Sequence, residues 1–379
     1  MVDGEKELIS TFTGTLPQLL VAQAARFGRA DAAIREKAYG IWQTYNWEDY
    51  LRYVRHTAVG LMGMGFRRGE SVGLITNNHP EWLFAEIGVQ AAGGITLNLF
   101  TSAVAEELSA SLNRIRATFV IVQDQEQVDK MVAMRGKLGH VRHVVYIDPT
   151  GMAMGSYGED GWIISFRNLL SKGEILDRER PDLFAAEMQK GKAEETALMI
   201  QTSGTTGLPK LAMLSHRNLT AMGESWIRGI GVGPGENWLS MSPPAWIVDQ
   251  MWGVGVALMA GMTMNFPETA DTVLEDFREI GPSRVITASR FWEEMASRIR
   301  VRMSDAGWLK RRLFDGAERI GRAVVDRQVA KKTLPFYLKA LHGLARTVIY
   351  KPLLDRIGCA NFRSAYTGGH PQPPSSCER

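Results

Sequence analysis

A run of hydroxyl and glycine residues near the middle of the 379-residue chain, from Thr202 to Lys210, has the chemistry of an anion-binding loop. Its backbone N–H groups, its hydroxyls and one ammonium can all face the oxygens of a phosphate. Gly204 and Gly207 permit backbone angles that a Cβ would forbid, and Pro209 stiffens the exit from the loop. We therefore predict that the loop holds the phosphates of a nucleotide. The predicted phosphate ligands are Thr202, Ser203, Gly204, Thr205, Thr206, Gly207 and Lys210.

The glycine-rich segments of the chain allow three other interpretations. Ser, Thr and Gly are ordinary turn residues, so a polar surface turn is the simplest alternative. A Walker-type phosphate loop needs Gly, Lys and then Ser or Thr, whereas Pro209 precedes the lysine here and Leu211 follows it. A dinucleotide fingerprint also fails, because Gly229, Gly231 and Gly233 crowd together but Pro234 occupies the place where the third glycine should fall. The density of hydroxyls and glycines favours the phosphate-binding loop over the plain turn.

Short apolar runs flank the loop and predict the elements that position it. Residues 196–200 and 211–214 have the length and composition of strands, and Ser215 can cap a helix that begins at residue 216 or 217. Further strands are predicted at 72–75, 95–99, 119–122 and 144–147, a helix at 81–92 and a surface loop at 149–161. Alternating strands and helices predict an α/β fold with a mainly parallel sheet.

The segment from Thr202 to Lys210 resembles the signature loop of the adenylate-forming enzymes, Thr-Ser-Gly-Thr-Thr-Gly-x-Pro-Lys-Gly. This superfamily includes acyl-CoA synthetases, luciferases and the adenylation domains of peptide synthetases. The chain matches the pattern up to the lysine and departs from it at Leu211, where the family usually has glycine. That substitution makes the exit of the loop bulkier but leaves each anion-facing position in place.

Shorter motifs extend the resemblance along the chain. Asn78–Trp82 resembles the Asn-x-Pro-Glu-Trp step of acyl-CoA synthetases, and Ser242–Trp246 resembles their Leu-Pro-Leu-x-His element. Ser289–Glu293 is similar to the Pro-Arg-x-Trp-Glu signature of the long-chain subgroup, and Lys351–Gly358 to its basic helix. Tyr366–Gly369 resembles the Ser/Thr-Gly-Gly-Ala segment that packs on adenosine. Together these motifs favour the long-chain fatty-acid–CoA ligases.

This resemblance implies a layered α/β N-terminal domain of the acyl-CoA synthetase type, with mainly parallel sheets flanked by helices, over residues 12–370. It also implies an acid–thiol ligase that activates a fatty acid with ATP and Mg²⁺ to acyl-AMP and then forms acyl-CoA from coenzyme A. Lys210 and Trp246 are the implied catalytic residues, with Gly368 and Gly369 beside the nucleotide. Trp246 is equally well explained as a core tryptophan. No residue is predicted to ligate a metal ion.

Relatives continue beyond the double glycine with a Tyr-Gly-x-Thr-Glu element and a small C-terminal lid domain, neither of which is found in this sequence. We therefore expect an incomplete N-terminal domain with impaired activity and, at residues 371–379, a Pro- and Ser-rich disordered tail. Two alternatives to an active ligase stay open. One is a non-catalytic nucleotide- or acyl-binding remnant, and the other is an adenylation domain that loads a carrier protein.

Positive charge is concentrated in residues 298–356, which hold 15 Lys or Arg and 5 Asp or Glu. The rest of the chain holds 29 Lys or Arg and 36 Asp or Glu. The apolar spacing of this segment predicts helices. Their basic face is either solvated or attracted to anionic lipid surfaces or phosphorylated ligands. No nucleic-acid-binding module accompanies these charges.

The remaining composition predicts a cytoplasmic protein, with peripheral membrane contact through the basic segment as the alternative. Cys359 and Cys377 give no disulfide framework, which fits a reducing compartment. No signal peptide is expected from the first residues. The apolar, Gly-rich window 252–266 is shorter than the ~20 residues that span a bilayer, so we interpret it as core.

Overall fold

The computed structural model describes residues 12–154, 157, 160–202 and 210–368. The predictions that fall on residues 203–209 and 369–379 lie outside these described residues. Two compact units make up the chain, Met1–Glu268 and Thr269–Arg379. The domain limits drawn from the sequence, 12–370, do not follow this division and stay a prediction.

The strands of the described residues are three to seven residues long. In chain order they are β1 (Ala32–Ala38), β2 (Ile41–Asn46), β3 (Ser71–Ile75), β4 (Ile95–Asn98), β5 (Phe119–Val122), β6 (His143–Tyr146), β7 (Ile163–Ser165), β8 (Thr196–Thr202), β9 (Lys210–Ser215), β10 (Asn237–Leu239), β11 (Thr263–Phe266), β12 (Arg284–Thr287) and β13 (Ser364–Thr367).

Seven of these strands form the main sheet of the first unit, in the order β7-β6-β5-β3-β4-β8-β9. All neighbouring pairs are parallel except β8 and β9, which form an antiparallel hairpin. A second sheet has the order β10-β11-β1-β2 and is parallel except between β1 and β2. The predicted α/β fold with mainly parallel sheets is confirmed.

The helices of the first unit connect these strands and flank the sheets. They are α1 (Leu16–Phe27), α2 (Trp47–Gly63), α3 (Pro80–Ala91), α4 (Ala105–Arg114), α5 (Gln125–Ala133), α6 (Phe166–Glu179), α7 (Leu183–Met188), α8 (His216–Ile230), α9 (Ile247–Asp249) and α10 (Ala257–Ala260), with a π-helical turn at Gln250–Val256 and 3₁₀ turns at Arg135–Lys137 and Met152–Met154. Each strand and helix predicted between residues 72 and 230 is found within two residues of its predicted limits, and the window 252–266 is buried core as interpreted.

Close packing between α2 and α6 explains two of the glycines. A Cβ at Gly173 would lie 1.9 Å from the carbonyl oxygen of His56, and one at Gly60 would lie 2.5 Å from the carbonyl oxygen of Leu169. Because real Cβ atoms do not approach backbone oxygens so closely, both helices need glycine where they cross. This contact lets the backbones of α2 and α6 cross without a side chain between them.

The second unit is mainly helical, as the basic segment predicts. Its elements are α11 (Val273–Ile280), β12, α12 (Ser289–Ser304), α13 (Trp308–Val329), α14 (Phe336–Ala345), a π-helical turn at Arg346–Tyr350, α15 (Lys351–Arg356) and β13. Strands β12 and β13 pair in parallel. Across the part of the chain that the structure describes, none of the helices combines the length and the apolar character needed to cross a bilayer.

Candidate active site

The two ends of the predicted phosphate loop face each other across the β8–β9 hairpin. Thr202 and Lys210 are paired in the antiparallel register, and the hydroxyl of Thr202 donates to the carbonyl oxygen of Lys210 at 3.4 Å. Both residues are exposed. Since β8 runs parallel to β4, its last residue, Thr202, lies at the carboxyl edge of the parallel sheet. Ligands of open α/β sheets usually bind at this edge.

The described part of the site suits an anion at the end of the hairpin. Among the described residues, no hydrogen bond or ion pair holds the ammonium of Lys210, so its charge is available to a phosphate. The other predicted phosphate ligands, Ser203, Gly204, Thr205, Thr206 and Gly207, lie outside the described residues. The predicted strands before and after them, and the helix that follows, are confirmed.

Helix α8 begins where the sequence predicts, because Ser215 caps it. The Ser215 hydroxyl accepts from the backbone N–H of Asn218 at 3.2 Å, and the Asn218 side chain accepts from the backbone N–H of Ser215 at 2.9 Å. This capping box fixes the exit of β9. The next residue, His216, is buried, and burial together with the nearby charge of Arg68 lowers the pKa of its imidazole to about 4.

A second part of the candidate site is the turn at Ser242–Trp246, which resembles a motif near the acyl and nucleotide pockets. The backbone N–H of Trp246 donates to the carbonyl of Pro243 at 2.8 Å. The amide of Asn78 donates to the Ser242 carbonyl at 2.6 Å. Two motifs that are far apart in sequence therefore meet here. The Trp246 side chain is half-buried at the start of α9, which leaves both interpretations of this tryptophan open.

The carboxylate of Asp249, which the sequence analysis did not select, organises this turn. It accepts from the Ser240 hydroxyl at 2.7 Å, from the Asn78 amide at 2.8 Å and from the Trp238 indole at 3.0 Å. Asp249 is fully buried, and this burial raises the pKa of its carboxyl to about 7, while the hydrogen bonds to its charged form oppose the shift. The group is therefore poised to change its charge near neutral pH.

A second buried carboxylate, Glu86 of α3, lies in a neighbouring polar network. Its Oε2 accepts from the Trp82 indole at 2.7 Å and from the Gln250 amide at 3.0 Å. Burial raises the pKa of the Glu86 carboxyl, and its hydrogen bonds oppose the shift. The Gln250 amide also donates to the Pro244 carbonyl at 2.9 Å, so Glu86 supports the Ser242–Trp246 turn through Gln250.

The sequence did hold a signal for these missed residues. Glu86 interrupts the apolar run from Trp82 to Val89, and Asp249 with Gln250 interrupts the apolar run around Trp252. Charged residues are seldom fully buried unless they have partners. A charge within an apolar run therefore indicates a buried polar network, although its partners could not be named before the fold was known.

Of the two glycines predicted beside the nucleotide, only Gly368 is among the described residues. Gly368 follows β13 in the second unit, and its N–H donates to the Thr287 carbonyl at 3.3 Å. A Cβ at Gly368 would meet no atom within 4 Å, so the described surroundings leave open space beside it. Gly369 lies outside the described residues. Within 12–154, 157, 160–202 and 210–368, no three His, Cys, Asp or Glu side chains are grouped as a metal site would need.

Comparison with known proteins identifies the family. The family model described as AMP-binding enzyme matches residues 20–345. The chain belongs to the AMP-binding enzyme family. This membership confirms the resemblance that the Thr202–Lys210 motif suggested.

Curated members of this family with similar sequences include long-chain-fatty-acid–CoA ligases. The ligase heimdall of Drosophila melanogaster is 29% identical over 339 residues, which cover 87% of this chain and 48% of the relative. The ligase ACSBG2 of Rattus norvegicus is 24% identical over 366 residues, covering 94% of this chain and 53% of the relative. The chain thus spans about half the length of the curated relatives it matches.

Solved structures support the fold. A long-chain-fatty-acid–CoA ligase from Archaeoglobus fulgidus has a TM-score of 0.62 at 18% identity, covering 77% of this chain and 54% of the other. The A domain of a carboxylic acid reductase from Segniliparus rugosus, solved with AMP and a co-purified carboxylic acid, has a TM-score of 0.71 at 15% identity, covering 99% and 59%. At such identities the likeness concerns the fold of adenylate-forming enzymes.

Proposed function

We propose that this chain belongs to a long-chain-fatty-acid–CoA ligase and carries its nucleotide-binding hairpin. In the proposed reaction the carboxylate of a fatty acid attacks the α-phosphorus of ATP, giving acyl-AMP and pyrophosphate. The thiol of coenzyme A then attacks the acyl carbon, and AMP leaves. Family membership and the names of the similar curated proteins support this reaction for the whole protein.

The observation that carries the proposal is the register of Thr202 and Lys210 across the hairpin. It brings one hydroxyl and one ammonium, which has no partner among the described residues, to the two ends of a loop whose sequence resembles a phosphate-binding segment. In-line displacement at phosphorus needs charge neutralisation and positioning more than covalent help from the protein. We assign the β- and γ-phosphates to the loop, with Lys210 as the residue that neutralises the departing pyrophosphate.

The Ser242–Trp246 turn is proposed as the neighbour of the reacting carboxylate. Asn78, Asp249 and Gln250 hold its backbone, and Trp246 would pack beside the bound acid. We propose that Mg²⁺ arrives with ATP, because this ion typically binds substrate phosphates and takes few protein ligands. Gly368 and Gly369 are proposed to let the backbone approach the adenine closely.

Calorimetry of ATP–Mg²⁺ binding tests this assignment. Lys210→Ala is expected to weaken ATP affinity about tenfold, because a hydrogen bond to a charged group contributes about 1.5 kcal/mol or more. The matched control is Lys172→Ala, which removes an exposed ammonium from α6 and should leave the affinity unchanged. Equal affinity of the Lys210 variant and the parent protein would mean that the loop has another role.

Two further assays separate the remaining alternatives. Fatty-acid-dependent exchange of pyrophosphate into ATP distinguishes a catalyst from a nucleotide-binding remnant, since the remnant binds ATP without exchange. Supplying either coenzyme A or a phosphopantetheinylated carrier protein as the thiol distinguishes a CoA ligase from an adenylation domain that loads a carrier. We expect exchange that depends on a long-chain acid and transfer to coenzyme A.

We also propose peripheral contact between the basic segment and anionic lipid. On α14, Phe336 is 87% exposed and Leu344 is 63% exposed, and Tyr337 and Leu341 continue this exposed apolar face at helical spacing. Residues 327–354 contain six Lys or Arg and no Asp or Glu. Apolar residues beside basic ones are typical of helices that lie in the interface of an anionic membrane.

Co-sedimentation with phosphatidylserine vesicles tests this contact. Leu341→Glu combined with Leu344→Glu should reduce the bound fraction about tenfold, because it removes apolar burial and adds charges that the lipid repels. Val132→Glu, at a comparably exposed position of α5, is the control and should bind like the parent protein. Equal binding by all three proteins, or binding to neutral vesicles alone, would contradict the proposed contact.

A further inference from the structure

A pocket of about 640 Å³ lies between α11, α12 and α15 of the second unit. Its floor is apolar and includes Met295, Met303 and Leu353. Met295 is buried, and the other two are half-buried. The volume falls within the roughly 300–1,000 Å³ that small-molecule sites occupy. All the residues that line the pocket belong to this unit, and none of them was assigned to nucleotide binding.

The rim of the pocket is strongly basic. Four arginines line it, of which Arg298 is paired with Glu294 at 2.8 Å. For Arg278, Arg302 and Arg356, the described residues provide no ion pair and no side-chain hydrogen bond. Two glutamates of α11 also line the pocket, so its charged residues are four positive and two negative. Guanidinium groups match carboxylate and phosphate oxygens in a planar, two-point geometry.

We propose that this pocket binds a single-chain amphiphile with an anionic head, such as a fatty acid or an alkyl phosphate. The head would lie on Arg278 and Arg302, and the chain would cover the methionine floor. A bare anion would leave that floor in contact with water, whereas a neutral amphiphile would leave the arginines without an anion. A ligand with both parts satisfies the two halves of the pocket. The inference goes beyond the proposed reaction, because it concerns a second site for an acyl anion.

Methionine methyl resonances give a local readout of binding at this pocket. The chain has 18 methionines, so Met295→Leu and Met303→Leu serve to assign the two signals in methyl-labelled protein. Dodecyl phosphate and dodecanoate, both kept below their micelle concentrations, should shift these two signals saturably. Inorganic phosphate should leave them unchanged. The affinity of dodecyl maltoside, measured from the same two signals, should be at least tenfold lower. If dodecyl phosphate binds and dodecanoate does not, the ligand class narrows to phosphate heads.

A double variant tests the head-group contacts. Arg278→Gln with Arg302→Gln should weaken dodecyl phosphate binding at least tenfold, while Arg312→Gln, an exposed arginine of α13 outside the pocket, should not. Equal affinity of the double variant, equally tight binding of the maltoside, or unshifted methionine signals would each overturn the proposal. Shifts that follow protein concentration without ligand would instead identify a second copy of the chain as the occupant. ATP calorimetry on the same samples tests nucleotide binding at the hairpin, so that failure of this proposal can be told apart from failure of the proposed reaction.

Discussion

The charge of Asp249 makes the stability of the first unit depend on pH in a direction that can be predicted. In the native state burial raises the pKa of this carboxyl to about 7, whereas an aspartate in an unfolded chain has a pKa of about 3.9. Between these values the native state binds more protons than the unfolded state. The free energy of unfolding therefore falls as pH rises. This contribution to stability is fully present below pH ~3.9 and is lost as pH rises through ~7.

The size of the effect follows from the two pKa values. From pH 6 to pH 8 the unfolded aspartate stays ionised, while the native one passes from about nine-tenths protonated to about nine-tenths ionised. Integrating the proton difference gives a loss of about 1.4 kcal/mol over this interval. Asp249→Asn keeps the shape of the protonated side chain and does not titrate. The difference in unfolding free energy between parent and variant should therefore shift by about 1.4 kcal/mol between pH 6 and pH 8.

Urea unfolding followed by tryptophan fluorescence is a suitable assay, because Trp238 contacts Asp249 and stacks on Trp252 with ring centroids 4.9 Å apart. Comparing parent and variant at each pH cancels the titration of groups that both proteins share. Asp305→Asn, at an exposed aspartate after α12, is the control for the removal of one carboxylate. A parent-minus-variant difference that is constant between pH 6 and pH 8 would refute the argument that Asp249 titrates in this range.

Two substitutions test the framework around the site. Gly173→Ala should destabilise the first unit by at least about 2 kcal/mol, because its new Cβ would lie 1.9 Å from the His56 carbonyl oxygen. The control Gly136→Ala, whose Cβ meets open space, should be nearly neutral in the same urea titration. Ser215→Ala should cost about 1 kcal/mol through loss of the α8 cap, and retention of full stability would mean that the Asn218 side chain alone holds the helix start.

Local patterns predicted the elements that carry the nucleotide hairpin. Strand β5 is a four-residue apolar run that is buried on both faces, as a parallel strand beneath helices requires. Ser215 marked the start of α8 because a serine cap satisfies backbone N–H groups within the same four residues. Such signals depend only on neighbours in sequence, so they can be recognised without knowledge of the fold. The antiparallel pairing of β8 and β9 was not predicted, although the short connection between them permits a hairpin.

The polar networks could not be predicted because their partners come from distant segments. The Asn78 amide reaches the Ser242 carbonyl 164 residues away, and Gln250 reaches Glu86 over the same separation. These contacts exist only because the fold brings the start and the middle of α3 next to the residues that follow β10. No periodicity or spacing within one segment encodes such a pairing, even though the buried charge itself stands out in the sequence.

Among the described residues, the hydrogen-bond donors to Glu86 and Asp249 are all neutral, and this bears on what the networks do. A buried carboxylate without a cation costs free energy unless its lone pairs are filled, and a well-packed apolar group is often as stable in its place. Glu86 accepts from side chains of α3, β4 and the π-helical turn, and Asp249 from those after β3 and β10. Each carboxylate thus fixes both the distance and the relative orientation of several segments, because hydrogen bonds are directional. Apolar contacts constrain the orientation less. We therefore expect the two carboxylates to affect the geometry of the Ser242–Trp246 turn more than the free energy of unfolding.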